Sequence, residues 1–212
     1  MNKKTPPSLN DPTAPPFWEA RYLQGDNGWD IAQPAPPFVD LLSEPDAPAP
    51  GHMIVLGCGR GHDAIFFARH GFDVVGVDFA HAAIEEARQT AERVPSGITF
   101  VEHDMYTLPA SYDHTFKYVV EHTCLTAVPP EKRPDYVQLV LRLLAEDGLY
   151  LALFLAHGQP IAPPFDISEE EIHNLFDPYF TIERLEPPAH SVDLREGMEL
   201  FGIMRPLALK KK

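Results

Sequence analysis

The segment His52–Ala80 constrains this chain more than any other. An apolar run, Met53–Leu56, enters a glycine turn, Gly57-Cys58-Gly59-Arg60-Gly61. A helical stretch, His62–His70, follows and stops at Gly71; a second apolar run, Val74–Val77, then ends in Asp78. Strand, glycine turn, helix and strand make one right-handed βαβ unit. Glycine lacks a Cβ, so the turn can take positive φ and a ligand can lie against its backbone. Asp78 falls at the carboxyl end of the second strand, where such sheets bind ligands. Its carboxylate can accept both hydroxyls of a ribose there.

The spacing narrows the ligand. A dinucleotide turn reads G-x-G-x-x-G and seats a pyrophosphate on a helix N-terminus. Here the glycines fall at 57, 59 and 61, and Asp63 opens the helix. Asp63 is expected to cap that helix with its carboxylate. An acid at that point repels a pyrophosphate and suits the cationic end of an amino acid. The pattern therefore favours S-adenosylmethionine (SAM) over NAD.

The totals exclude several classes. A chain of 212 residues has room for one domain with a sizeable core. A net charge of −14 argues against a nucleic-acid partner. Lys3-Lys4 and Lys132-Arg133 are only pairs, and Lys210–Lys212 is a short tail. No apolar run approaches a membrane span, and no signal-peptide core opens the chain. Cys58 and Cys124 make no disulfide framework. A cytoplasmic monomer acting on a small molecule, with no membrane or metal partner, is the expectation. The 23 prolines cluster in loops around a folded centre.

Alternation of apolar periods sets the element order. Residues 1–16 read as a mobile tail and 17–207 as one domain, in which 17–45 precede the core. Phe17–Tyr22 and Pro36–Leu42 read as short helices, and Ala82–Arg93 as a longer one with Ala83, Ile84, Ala87 and Ala91 on one side. Gly97–Glu102 and Phe116–Val120 are strands three and four. Arg133–Leu144 is a helix, and Asp147-Gly148 should turn into a fifth strand, Leu149–Leu155. Ser168 should cap a helix over Glu169–Phe176. Phe180–Leu185 and Glu199–Met204 should form an antiparallel edge pair. The fold class is α/β, a doubly wound, mainly parallel sheet.

Four segments carry a resemblance: Phe17–Leu42 (FWEARYLQGDNGWDIAQPAPPFVDLL), Val55–Asp63 (VLGCGRGHD), Val74–Asp78 (VVGVD) and Glu121–Leu144 (EHTCLTAVPPEKRPDYVQLVLRLL). They resemble the class I SAM-dependent methyltransferases, and more narrowly the thiopurine and thiol/halide S-methyltransferase family. The resemblance implies a seven-stranded Rossmann-like sheet with a reversed last hairpin and an N-terminal lid over 17–45. It implies transfer of a methyl group to a thiol, thiopurine or halide; an O- or N-methyltransferase and, behind it, an NAD-dependent oxidoreductase stay open. The implied SAM pocket is Gly57, Asp78, Asp104, Met105 and Glu121, with Trp18 and Trp29 closing over it; Gly59 and Phe79, beside Gly57 and Asp78, complete the candidate cofactor-binding set. Cys124-Leu125-Thr126 stands where relatives often carry aromatics.

The residues themselves support these roles to different degrees. Asp104 follows the third strand, where its carboxylate can accept an adenine amino hydrogen beside Met105. Trp18 and Trp29 can cover adenosine or face a sulfonium, since a cation over an aromatic face gains roughly 0.5–2 kcal/mol. Glu121 and His122 end the fourth strand and are the catalytic candidates: Glu121 to bind or polarise, His122 as a base. A histidine satisfied at a strand end explains His122 equally well. Cys58 and Cys124 read as small packing residues. No histidine has metal-ligand spacing, and no Ser-His-Asp order is present.

Overall fold

A computed structural model describes residues 11–92, 97–160 and 162–208. The elements run α1 (Pro15–Gln24), α2 (Pro36–Ser43), β1 (His52–Leu56), α3 (His62–Arg69), β2 (Asp73–Asp78), α4 (His81–Ala91) and β3 (Ile98–Glu102). They continue with β4 (Phe116–His122), α5 (Cys124–Ala127), α6 (Arg133–Leu143), β5 (Leu144–Leu155), α7 (Glu169–Phe176), β6 (Phe180–Glu186) and β7 (Glu199–Pro206). One seven-stranded sheet has the order β3-β2-β1-β4-β5-β7-β6. The first five strands are parallel, and β7 lies antiparallel between β5 and β6. The expected reversed hairpin is therefore present, with β6 outermost.

Successive strand residues face opposite sides, so each strand feeds two cores. Ile54, Val119, Tyr150, Ala152 and Phe154 pack with α6 and α7 residues on one face. Met53, Val55, Tyr118, Val120, Leu151 and Leu153 pack with α2, α3 and α4 residues on the other. Both faces are covered, as a parallel sheet requires. The three inward residues of α4 are Ala83, Ile84 and Ala87, all fully buried.

Local chemistry sets the ends. Prolines open α1, α2 and α6 at positions where no N–H is needed. Ser168 caps α7: its Oγ accepts the Glu171 N–H at 3.1 Å.

Three expectations need correction. Asp147-Gly148 does not turn into β5; the strand starts at Leu144, directly after α6. Phe116 pairs with Leu144 and Tyr118 with Leu149, so the dipeptide lies in the irregular stretch between two registers. Of the expected tail, 1–10 lie outside the described residues, as do Arg93 and Lys210–Lys212. Residues 11–16 are built into the fold: Ala14 is buried, and Pro15-Pro16 form the first turn of α1. Asp63 does not cap α3; Gly61 occupies the N-cap in a left-handed conformation, with no side-chain bond. Among the described residues no helix is long and apolar enough to cross a membrane.

Candidate active site

The carboxyl ends of β1, β2, β4 and β5 open onto one cavity of about 950 Å³. Two of the three turn glycines shape it. Gly57 has φ +58°, and a Cβ there would lie 2.6 Å from Cys124 Sγ. Gly59 has φ +51°, and a Cβ would lie 2.8 Å from the Tyr22 hydroxyl. Gly61 serves packing instead, since its Cβ would meet the Phe100 ring at 2.5 Å. Asp78 closes the turn. Its Oδ2 accepts the Gly59 N–H and its Oδ1 the Ala80 N–H, both at 2.9 Å. Asp78 itself lines the cavity. Burial pushes this carboxyl above its ordinary value, against those backbone hydrogen bonds. Phe79, Asp104 and Met105 continue the wall. Asp104 Oδ1 accepts the Tyr106 N–H at 3.0 Å, which fixes the side chain.

The N-terminal segment forms the roof. Trp18 and Trp29 meet edge to face at 5.2 Å, and Trp29 meets Tyr22 the same way at 5.4 Å. Trp18 Nε1 donates to Pro12 O at 2.8 Å and Trp29 Nε1 to the Tyr22 hydroxyl at 3.2 Å. The roof is fastened to the glycine turn through Asp30. Arg60 lies 2.7 Å from its Oδ2 and His62 3.1 Å from its Oδ1. Burial would raise the Asp30 carboxyl, but His62, Arg60 and the Ala32 N–H outweigh it and hold it well below the usual range. Glu19 adds a second fastening by accepting the Ala82 N–H at 3.0 Å.

His122 faces α3, and a chain of polar contacts runs through it. Its Nδ1 lies 2.9 Å from Asp63 Oδ2, and its Nε2 2.7 Å from Arg195 Nη1. A guanidinium only donates, so Nε2 carries the lone pair and Nδ1–H donates to Asp63. Asp63 Oδ1 accepts the Ala35 N–H at 2.7 Å. Arg195, almost fully buried, also donates to the Trp29 carbonyl at 2.5 Å and lies 3.4 Å from Glu199. Thus α3 and the β6–β7 loop meet at one imidazole on β4, and Asp63 and Arg195 extend the chain to the start of α2 and to the roof.

Glu121 is not brought to this cavity. It is one residue from His122 along β4, so it points to the opposite face, fully buried. Its Oε2 accepts the Leu125 N–H at 3.0 Å and thereby holds α5. Burial raises its carboxyl to about 8, against hydrogen bonds from the Leu125 and Cys124 N–H groups. The sequence-derived roles of ligand contact and polarising residue therefore do not suit it. Cys124 lines the cavity, whereas Leu125 and Thr126 are buried. Burial raises the thiols of both Cys58 and Cys124, which keeps them protonated packing groups.

The remaining expected residues, Trp18, Trp29, Gly57, Gly59, Asp78, Phe79, Asp104, Met105 and His122, all line the cavity. Sequence reasoning missed Arg195, Arg60 and Asp30. Asp30 lies within the Gly-Trp-Asp stretch of the family resemblance, which was a usable signal. Arg195 sits in a loop with no periodicity, and nothing local marks it.

Known proteins decide the family. The chain matches the thiopurine S-methyltransferase (TPMT) family over residues 13–199. It belongs to that family. It is similar to thiocyanate methyltransferase 1 of Brassica oleracea, at 30% identity over 87% of this chain and 82% of the relative. It is also similar to 2-heptyl-1-hydroxyquinolin-4(1H)-one methyltransferase of Mycobacteroides abscessus, at 29% identity over 75% of this chain and 70% of the relative. Among solved structures, a Burkholderia thailandensis 1,6-didemethyltoxoflavin N1-methyltransferase with S-adenosylhomocysteine shares the fold. That match has TM-score 0.77 and 20% identity over 95% of this chain and 93% of the other.

The chain is accordingly a SAM-dependent methyltransferase. The cradle suits that cofactor: the backbone of Gly57 and Gly59 and the Asp78 carboxyl all line the cavity at the strand ends. Among the described residues no cluster of His, Cys, Asp or Glu could hold a metal ion.

Proposed function

We propose that this methyltransferase acts on a small, soft nucleophile, a thiol or thiopurine foremost, and that the acceptor arrives as an anion. Asp78 would hold the ribose, Asp104 and Met105 the adenine, and Trp18, Trp29 and Phe79 would cover the cofactor. When bound, SAM supplies an electrophilic methyl on a sulfonium and leaves as the neutral thioether. The observation that carries the reading is the Arg195–His122 contact. The imidazole at the end of β4 has its lone pair engaged by a guanidinium at 2.7 Å. A hard acceptor that must be deprotonated finds no free lone pair on His122. A thiolate needs none, because its proton is lost to solvent beforehand.

The chain's own contribution is alignment and dryness. The tryptophan roof and the Arg60–Asp30 fastening would shield bound reactants from water. Water stabilises separated ions more than the charge-dispersed transition state, so a dry site speeds their combination. Fixing the acceptor beside the roof supplies further acceleration.

The relation to a hydroxyquinolone methyltransferase supports one second reading, an acidic N-hydroxy heterocycle as acceptor. Measuring S-adenosylhomocysteine formation across thiols, a thiopurine, iodide, thiocyanate, a phenol and an N-hydroxyquinolone separates the readings. Thiols should be fastest. Turnover confined to the oxygen acceptors would overturn the sulfur assignment.

A further inference from the structure

The two ends of the cavity differ in chemistry. At the β2–β3 end stand Asp78 and Asp104. Beyond His122, toward β5 and the start of β7, Val128, Leu155, Pro163, Leu194 and Met198 give the wall apolar side chains, beside the polar lining residues Lys132, Asp135, His157 and Gln159. That wall is preformed. Phe165 N–H donates to Thr126 O at 2.6 Å, and His157 Nε2 lies 3.2 Å from Pro164 O. The fully buried Arg133 donates to the Asp166 carbonyl at 3.0 Å and reaches Glu171 at 2.5 Å. The cavity of about 950 Å³ has to take both SAM and the acceptor, and these residues line its acceptor side.

Leu194 is the telling residue. It is 87% exposed at the cavity rim, while its neighbour Arg195 is 6% exposed. Most exposed leucines need no explanation. This one continues an apolar wall outward from a buried cation, and no residue of the described chain covers it.

We propose that the natural acceptor is amphiphilic: an ionisable soft head beside Arg195 and His122, and a hydrocarbon or aryl tail that runs along the apolar wall and leaves the cavity over Leu194. The head-binding half rests on the soft-nucleophile reading; the tail-binding half rests on the wall alone. Inorganic acceptors such as iodide would fill the head position and leave the wall empty.

Calorimetry with unreactive alkyl methyl sulfides, from ethyl to octyl, tests the wall in the presence of S-adenosylhomocysteine. Each methylene should tighten the dissociation constant about threefold to fourfold until the tail passes the rim. In Leu194→Ser the gain from the last methylenes should disappear, and kcat/KM for octanethiol should fall relative to that for ethanethiol. Affinity independent of tail length, with thiols still methylated, would overturn the tail site and leave the sulfur assignment standing. Tail-dependent binding with no methylation of any thiol would keep the wall and overturn the assignment of the head.

Discussion

Strands β2 and β4 both end in or beside an acid, Asp78 and Glu121, and the sheet uses them in opposite ways. Asp78 keeps two backbone partners and faces the cavity. Glu121 faces the α6 side, fully buried, and holds the N–H of Leu125. Sequence position places both at the ligand-binding edge of the sheet. Side alternation decides which one the ligand can reach, and a slip of one residue exchanges the roles. The cavity residue at the end of β4 is therefore His122.

The largest expected effect lies at Glu121 and concerns pH. Folded Glu121 keeps its proton to about pH 8, whereas a free Glu loses it near its ordinary value of 4.5. Stability contributed by this proton is complete below pH 4.5 and is lost as pH rises through about 8. A tenfold change in proton affinity corresponds to about 1.4 kcal/mol, so the total loss amounts to a few kcal/mol. Glu121→Gln keeps the acceptor for Leu125 N–H and has nothing to titrate. Urea unfolding from pH 5 to 9 should show a flatter profile for this variant than for the wild type. A parallel decline in both would show that Glu121 titrates normally.

At the other strand end, Asp78→Ala should weaken SAM binding by roughly tenfold to a hundredfold, the loss expected for a charged hydrogen-bond partner. Calorimetry reads this directly, and an affinity within twofold of wild type would misplace the ribose. Arg195→Met should lower kcat/KM for thiols by about tenfold, as one charge-assisted contact is lost. Its effect on SAM affinity should be smaller than that of Asp78→Ala. Equal effects on both would erase the distinction between the two ends. Ser168→Ala should cost about 1 kcal/mol of stability through the lost α7 cap. SAM affinity should not follow it, and a matching loss there would show that α7 reports on the cavity.

What the sequence disclosed follows from the same physics. The βαβ unit was legible because its glycines, apolar runs and Asp78 act over a short span of chain. The strands and their order of appearance were legible from apolar periods. The facing of Glu121 was not, because it depends on the register of β4 within the sheet. Asp63 looked like a cap because acids suit helix starts. Its carboxylate instead bonds Ala35 N–H and His122, which lie far away in sequence. Arg195 was invisible for a similar reason: its partners Trp29 and His122 are 166 and 73 residues distant.

The most direct test is a crystal structure with S-adenosylhomocysteine bound. The ribose hydroxyls should rest on Asp78 and the sulfur should point toward His122 and Arg195, with Glu121 out of reach on the far face of β4. A ligand whose ribose lies on any other group, or whose sulfur faces away from the β4–β5 end, would contradict the account.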